Sequence, residues 1–299
     1  MRILSFGGGV DSSAMLLHHL NVSSLGIDAV VFADTGAESM TTYENVDRFS
    51  HICREAGLRF DIVSKQGESI TDWVTRLGIV PVMAGGSHVC SVRFKGDVMA
   101  AWARENFPGE EITWLIGIEA NETRRTERFG KPKRSKKSKQ VFKYEYPLQD
   151  MGMTRDDCLA LIAKHGMQVS KSSCVFCPFM SHDEIRDIRN DQDAWDTIKL
   201  VERRYQEESP VKHQRWLDNG KPLIMLRTKG WRDGEGEVTP ADGEVGDHCK
   251  ITYKAPAGMW QKDGWAAGNR LFIRKIDGKL LSIAEWEALI DSESAEAAA

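Results

Sequence analysis

The sequence predicts an α/β fold: a doubly wound, mostly parallel sheet with helices on both faces, followed by a small strand-containing C-terminal appendage. Three observations predict it. Apolar runs of strand length alternate with helix-length stretches from Arg2 onward. The first of these runs ends in Gly7-Gly8-Gly9 and feeds Asp11-Ser12-Ser13 at the start of an amphipathic stretch. Beyond residue 218 the character changes to glycine, tryptophan and short β-like runs, so the chain divides into residues 1–218 and an appendage over 219–299.

The elements follow in order. Arg2–Phe6 reads as a strand, Ser12–His19 as a helix and Ile27–Ala33 as a second strand. Thr41–Ala56 and Ile70–Leu77 read as helices, with the short strand Arg59–Val63 between them; Thr113–Ile118 is a further strand. Thr154–His165 is a helix that Thr154 can cap, with Asp156 and Asp157 at its positive end and Gly166 beyond it. Asp183–Arg204 is mostly helical, with Trp195, Ile198 and Val201 as packing positions. Within the appendage, Leu223–Arg227, His248–Tyr253 and Arg270–Ile276 are β-like. Ser282–Ile290 is helical and runs into a small-residue tail expected to fray. On such sheets ligands bind at the carboxyl ends of the strands, near a topological switch point. Gly7–Ser13, Asp34–Gly36 and Gly117–Glu122 each follow a strand and should line one rim.

The glycine turn suits phosphate. Glycines take positive φ and let backbone approach an anion, and Ser12 and Ser13 sit where the amides and dipole of a helix start favour negative charge. The turn is neither a Walker A loop nor a Gly-x-Gly-x-x-Gly dinucleotide turn. An ordinary glycine-rich β–α turn is the plain alternative. The segment Asp34-Thr35-Gly36-Ala37-Glu38 could contact ribose, magnesium or an adenine edge, or could simply cap the next helix. Asp11 and Asp34 are the candidate magnesium ligands, because magnesium prefers carboxylates together with phosphate oxygens.

Composition narrows the class. With 299 residues, 41% hydrophobic content and a net charge of −4, the chain can bury a large core and is not globally a polyanion binder. It has no apolar run long enough for a membrane helix and no secretory signal pattern, so a cytoplasmic protein with no membrane association is expected. The six cysteines are few and unevenly spaced. Cys174-Val-Phe-Cys177-Pro-Phe puts two thiolates on one turn, able to share a metal or a cluster. Cys90 lies in a polar loop and is the next ligand candidate; Cys158 reads as half-buried in a helix, and Cys53 and Cys249 as packing residues. An iron–sulfur cluster, a zinc site completed by His88 or His182, a redox dithiol and a plain structural role all stay open. Residues 124–143 hold ten Lys/Arg against one Glu and read as a basic loop. That loop either grips a phosphate-rich partner or is a solvated surface segment. Glu122 and Arg125 lie close to the sheet rim, where an arginine can neutralise charge developing on phosphate.

Six motifs in sequence resemble the PP-loop superfamily of ATP pyrophosphatases, the adenine nucleotide alpha hydrolase-like proteins. The resemblance is to the branch labelled phosphoadenosine-phosphosulfate-reductase-like, of phages and bacteria. They are Ser5–Val10, Phe32–Glu38, Cys90 with Phe94-Lys95, Gly117-Ile118 with Asn121-Glu122 and Arg125, Tyr146–Leu148, and Ser172 or Ser173 through Phe179. The match covers residues 2–215 and leaves the appendage unplaced. Gly7 stands where serine is commoner, and Val10 where lysine is.

The resemblance implies that residues 1–218 bind ATP and Mg²⁺ and cleave ATP between the α and β phosphates. Ser5, Phe6, Gly7, Gly8, Gly9, Asp11, Ser12, Ser13, Phe32, Ala33, Asp34, Thr35 and Gly117 would then hold the nucleotide. Asp11, Lys95, Glu122 and Arg125 would be catalytic. Relatives in DNA phosphorothioation and tRNA thiolation adenylylate a nucleic-acid oxygen that sulfur then displaces, and carry a [4Fe–4S] cluster. Cys90, Cys174 and Cys177 would hold such a cluster here, with one iron left for sulfide. Nucleic acid (DNA or tRNA) would bind through the basic loop 124–143, and a sulfur-donor protein such as a cysteine desulfurase would be a partner. Two alternatives stand beside this reading. A sulfonucleotide reductase or sulfotransferase is one, although the tail Ser282–Ala299 has no catalytic cysteine. A catalytically silent nucleotide- or nucleic-acid-binding module is the other.

Overall fold

The computed structural model describes residues 1–22, 25–79, 83–84, 87–88, 90–126, 133–134, 140–177, 180, 182–219, 275–276 and 279–298. These form two compact units. The first comprises Met1–Gly67 and Arg93–Cys174, the second Glu68–Val92 and Val175–Ala299.

The first unit is built on one sheet. Its strands are β1 (Arg2–Phe6), β2 (Ala29–Asp34), β3 (Arg59–Ser64), β6 (Ile112–Ile116), β7 (Lys133–Arg134) and β8 (Val141–Glu145), in the order β3-β2-β1-β6-β8-β7. The neighbours from β3 to β8 all run parallel, and the two-residue β7 is an antiparallel edge on β8. The chain therefore winds outward from β1 through β2 to β3, then crosses to the other side of β1 to lay down β6. The crevice between β1 and β6 is the switch point, where loops leaving the carboxyl ends diverge to opposite faces and leave room for a ligand.

Strand parity divides the core between the two faces. Leu4, Phe6, Val30, Phe32 and Leu115 pack with α1 (Val10–Val22), α2 (Met40–Glu55) and α7 (Arg155–Lys164) on one face. Ile3, Ala29, Val31, Ile112 and Trp114 pack with Trp102 and Ala103 of α4 (Asp97–Asn106) on the other. Burial on both faces is why β1 and β2 read as unbroken apolar runs. The expected doubly wound α/β class is what the residues build.

Local signals set the helix ends. Thr154 caps α7 through a reciprocal box with Asp157, and α7 is followed by Gly166 at φ 69°. In the second unit, Ser69 and Asp72 form the same box at the start of α3 (Ile70–Leu77). The mostly helical stretch expected over Asp183–Arg204 is built as two helices, α8 (His182–Arg189) and α9 (Gln192–Asn219). Asp191 accepts the Ala194 N–H at 3.1 Å and starts the second one afresh. Trp195, Ile198 and Val201 are buried as expected. The C-terminal helix α10 (Ile283–Ala298) packs on α9: the Glu202 carboxylate accepts the Ile283 N–H at 2.9 Å, and Trp195 donates to Glu287 at 2.9 Å. It continues past Ile290 where fraying was expected, because Glu-Ser-Ala-Glu-Ala-Ala is rich in strong helix formers.

The basic run is more ordered than a loop at its ends. Thr123–Thr126 forms the short helix α5, Lys133–Arg134 is β7, and Val141–Lys143 belongs to β8. There Phe142 is buried and stacks 6.3 Å from Trp114. Residues 127–132 and 135–139 lie outside the described residues, as do Cys249 and the β-like runs expected at 223–227 and 248–253. Short elements complete the chain: β4 (Met83–Ala84) pairs with β5 (Ser87–His88), a π-turn spans Ser91–Gly96, α6 is Pro147–Asp150, and β9 (Lys275–Ile276) pairs with β10 (Lys279–Leu280). No helix among the described residues is long and apolar enough to cross a membrane.

Candidate functional site at the sheet rim

The turn leaving β1 is shaped first by the protein's own packing. Gly8 has φ 71°, and a Cβ there would lie 2.9 Å from Thr42 Cγ2. A Cβ on Gly9 would lie 2.8 Å from Ser172 Oγ, and one on Gly117 2.8 Å from the backbone nitrogen of Ser12. Gly7 differs: its nearest neighbours would be the Ser172 and Ser12 hydroxyls at 3.8 and 3.9 Å. Three glycines thus let α2, the Ser172 segment and β6 close around the turn, while Gly7 has room for a side chain. The Gly7 N–H donates to Ser12 Oγ, and the Ser12 hydroxyl donates to the Gly9 carbonyl, both at 3.2 Å. The Gly8 carbonyl accepts from buried Asn45 at 3.2 Å. These bonds fix a loop that delivers the first turn of α1, where amide hydrogens outrun intrahelical acceptors, to the switch point.

The loop after β2 is a hydrogen-bonded network. Asp34 Oδ1 accepts from the Gly36 N–H and from the Tyr43 hydroxyl, each at 2.8 Å. Burial, then the bond to Asp34, pushes the Tyr43 phenol well above its ordinary range. Thr35 donates to Glu38 Oε1 at 2.9 Å, and Lys95 Nζ pairs with that same oxygen at 2.9 Å. The Glu38 side chain is 0% exposed. Its backbone bridges to Cys174, and the Ser39 N–H donates to the Ser173 carbonyl at 3.0 Å.

At the third loop, Asp11 meets a residue that sequence reading missed. Arg155, first in α7, places Nη1 3.0 Å from Asp11 Oδ1 and Nη2 3.3 Å from Oδ2. The same Nη2 lies 3.8 Å from Glu122 Oε1. The missing signal was tertiary: nothing local to Arg155 announces that α7 packs on α1.

The other expected site residues divide. Phe6, Phe32 and Ala33 are buried in the sheet, so what they offer the rim is backbone. Ser5 donates to Met99 Sδ at 3.4 Å. Ser13 is fully buried, and its hydroxyl meets no hydrogen-bonding partner among the described residues. Arg125 lies in α5, and its side chain is outside the described residues, as are those of His88 and His182.

The cysteines give less than expected. Cys90, Cys174 and Cys177 are partly exposed and none is in a disulfide. Among the described residues, no three or more His, Cys, Asp or Glu side chains form a group able to hold a metal ion. The expected [4Fe–4S] cluster on these three cysteines is therefore unsupported by the donor set. Cys158 and Cys53 are fully buried, and burial pushes each thiol up to about 12. Because the thiolate is the reactive form, both should resist iodoacetamide at about pH 8 in the folded protein, while Cys90, Cys174 and Cys177 react. Peptide mass spectrometry checks this, and early labelling of Cys53 or Cys158 would contradict their burial.

Comparison with known proteins gives little beyond the geometry. No family model and no curated protein matches the chain. Among solved structures, the chain is similar to a phosphoadenylyl-sulfate (PAPS) reductase from Candida auris, solved as a phosphate complex. Identity is 13%, the TM-score is 0.35, and the match covers 56% of this chain and 74% of that one. A likeness of this degree assigns neither family nor activity.

Proposed function

We propose that the chain is an ATP pyrophosphatase of the PP-loop type that adenylylates an oxygen of a nucleic acid, preparing it for replacement by sulfur. The observation that carries this reading is the Gly7–Gly9 turn, which delivers the start of α1 to the switch point between β1 and β6. Such a site suits a phosphate chain, and the six motifs resembling PP-loop enzymes make ATP the phosphate ligand of choice.

In the reaction, a substrate oxygen attacks the α-phosphorus and loses its proton to solvent. The bond from that phosphorus to the α–β bridging oxygen breaks, and pyrophosphate leaves with the electron pair. AMP remains on the substrate oxygen until sulfide attacks the substrate atom that carries it; the bond from that atom to the oxygen breaks and AMP leaves with the oxygen. The sulfide would come from the persulfide of a sulfur-donor protein such as a cysteine desulfurase, released by two electrons from an external thiol. The turn amides and α1 hold the leaving pyrophosphate; Lys95 and Arg125 supply positive charge as it develops. Magnesium would enter on the triphosphate and neutralise its charge. Asp34 and Asp11 are rim carboxylates of the type it takes, although Asp11 already holds Arg155. The basic run 124–143 would grip the nucleic-acid backbone, and a cytoplasmic setting suits such a partner.

Purified protein should release pyrophosphate and AMP from Mg·ATP, faster with nucleic acid and with a strong dependence on salt. Sulfite release from adenylyl sulfate without ATP cleavage would favour a reductase instead. Nucleotide binding with no product would favour the silent module.

A further inference from the structure

We propose that Arg155 is the side chain that meets the phosphate chain at the start of α1, and that Asp11 is its positioning residue. This rests on the phosphate-site reading above. Asp11 lies in the first turn of α1, two residues past Gly9, and the missing Cβ of Gly117 lets β6's end press against its backbone, so its place at the switch point is fixed. Its side chain is 10% exposed. A carboxylate so placed needs a permanent counter-charge, and the two-point contact with Arg155 provides one.

Arg155 is built differently from a structural tie. A guanidinium has five N–H donors, and Asp11 engages two nitrogens of the fork. The Arg155 side chain keeps 40% of its surface exposed, so the charged fork is gripped on one side and open on another. The contact between α1 and α7 does not depend on it, because Ala14, Leu17, Cys158 and Ile162 already share one apolar cluster. Glu122 stands on Nη2 at 3.8 Å, beyond hydrogen-bond reach and partly solvated, so it biases the fork's direction without saturating it. A planar fork held at one edge beside helix-start amides is suited to phosphate oxygens, where a lysine would give only a point charge.

The test is calorimetric binding of inorganic pyrophosphate and of ATP, in EDTA and again with magnesium, to wild type, Arg155→Lys, Arg155→Met and Asp11→Asn. Circular dichroism and melting temperature check each fold; Arg155→Lys keeps the counter-charge, so it decides if Arg155→Met does not fold. Wild type is expected to bind both ligands in EDTA. Arg155→Met should weaken binding roughly tenfold or more, with Arg155→Lys and Asp11→Asn in between. Unchanged affinity in a variant that only melts earlier would overturn the proposal and leave the phosphate site standing. Tighter magnesium-dependent binding by Arg155→Met would also overturn it, since Arg155 would then merely obstruct a metal. Failure of wild type to bind either ligand under any condition would sink the phosphate site itself.

Discussion

Gly117→Ala is expected to cost about 3 kcal/mol of stability and to abolish nucleotide binding, because the added Cβ collides with backbone rather than with a movable side chain. It would come within 2.8 Å of the Ser12 nitrogen and 3.0 Å of the Asp11 carbonyl carbon. Relief requires moving the first turn of α1 away from β6, which dismantles the rim. Gly7→Ala is the matched control. Its nearest atoms would be hydroxyls at ordinary contact distance, so stability should change by no more than about 0.5 kcal/mol. Urea denaturation and an ATP titration on both variants measure the contrast. A Gly117→Ala protein as stable and as active as wild type would mean that α1 does not start against the end of β6.

Lys95→Met is expected to destabilise the fold by about 3 kcal/mol, because it strands the Glu38 carboxylate in the interior. That side chain is 0% exposed and depends on Lys95 and Thr35, both at Oε1, with no hydrogen-bonding partner for Oε2 among the described residues. The double variant Glu38→Gln, Lys95→Met removes the charge along with its partner and should recover most of the loss. Denaturation midpoints of the two single variants and the double one form the cycle. A double variant no more stable than Lys95→Met would contradict a buried ion pair. The network matters beyond stability, since Glu38 also bridges to Cys174 and so joins the β2 loop to the cysteine segment.

Much of this was legible in the sequence, for identifiable reasons. Strands buried on both faces leave unbroken apolar runs, so β1, β2 and β6 were readable to within two residues at each end. Thr154 announced α7 because a capping hydroxyl and Asp157 are close in sequence. The β8 strand was hidden because Val141-Phe142 sits at the end of a run of lysines and arginines, and charge masked its alternation. Arg155 was hidden for a deeper reason: its partner lies 144 residues away, and only the packing of α7 on α1 brings them together. The glycines were legible as a turn but not in their division of labour. Gly8, Gly9 and Gly117 are demanded by neighbouring protein atoms, whatever ligand the turn receives. The cysteine motif was readable as a pattern, but spacing along the chain does not encode which other ligands a fold brings to it.

The most direct test of the central claim, that the rim cuts ATP at the α–β bond, is product analysis with ATP labelled at the α-phosphorus. The purified protein, given magnesium and nucleic acid, should leave the label in AMP or in an AMP adduct of the nucleic acid, with unlabelled pyrophosphate released in equal amount. Label recovered in ADP, with inorganic phosphate as the second product, would contradict it.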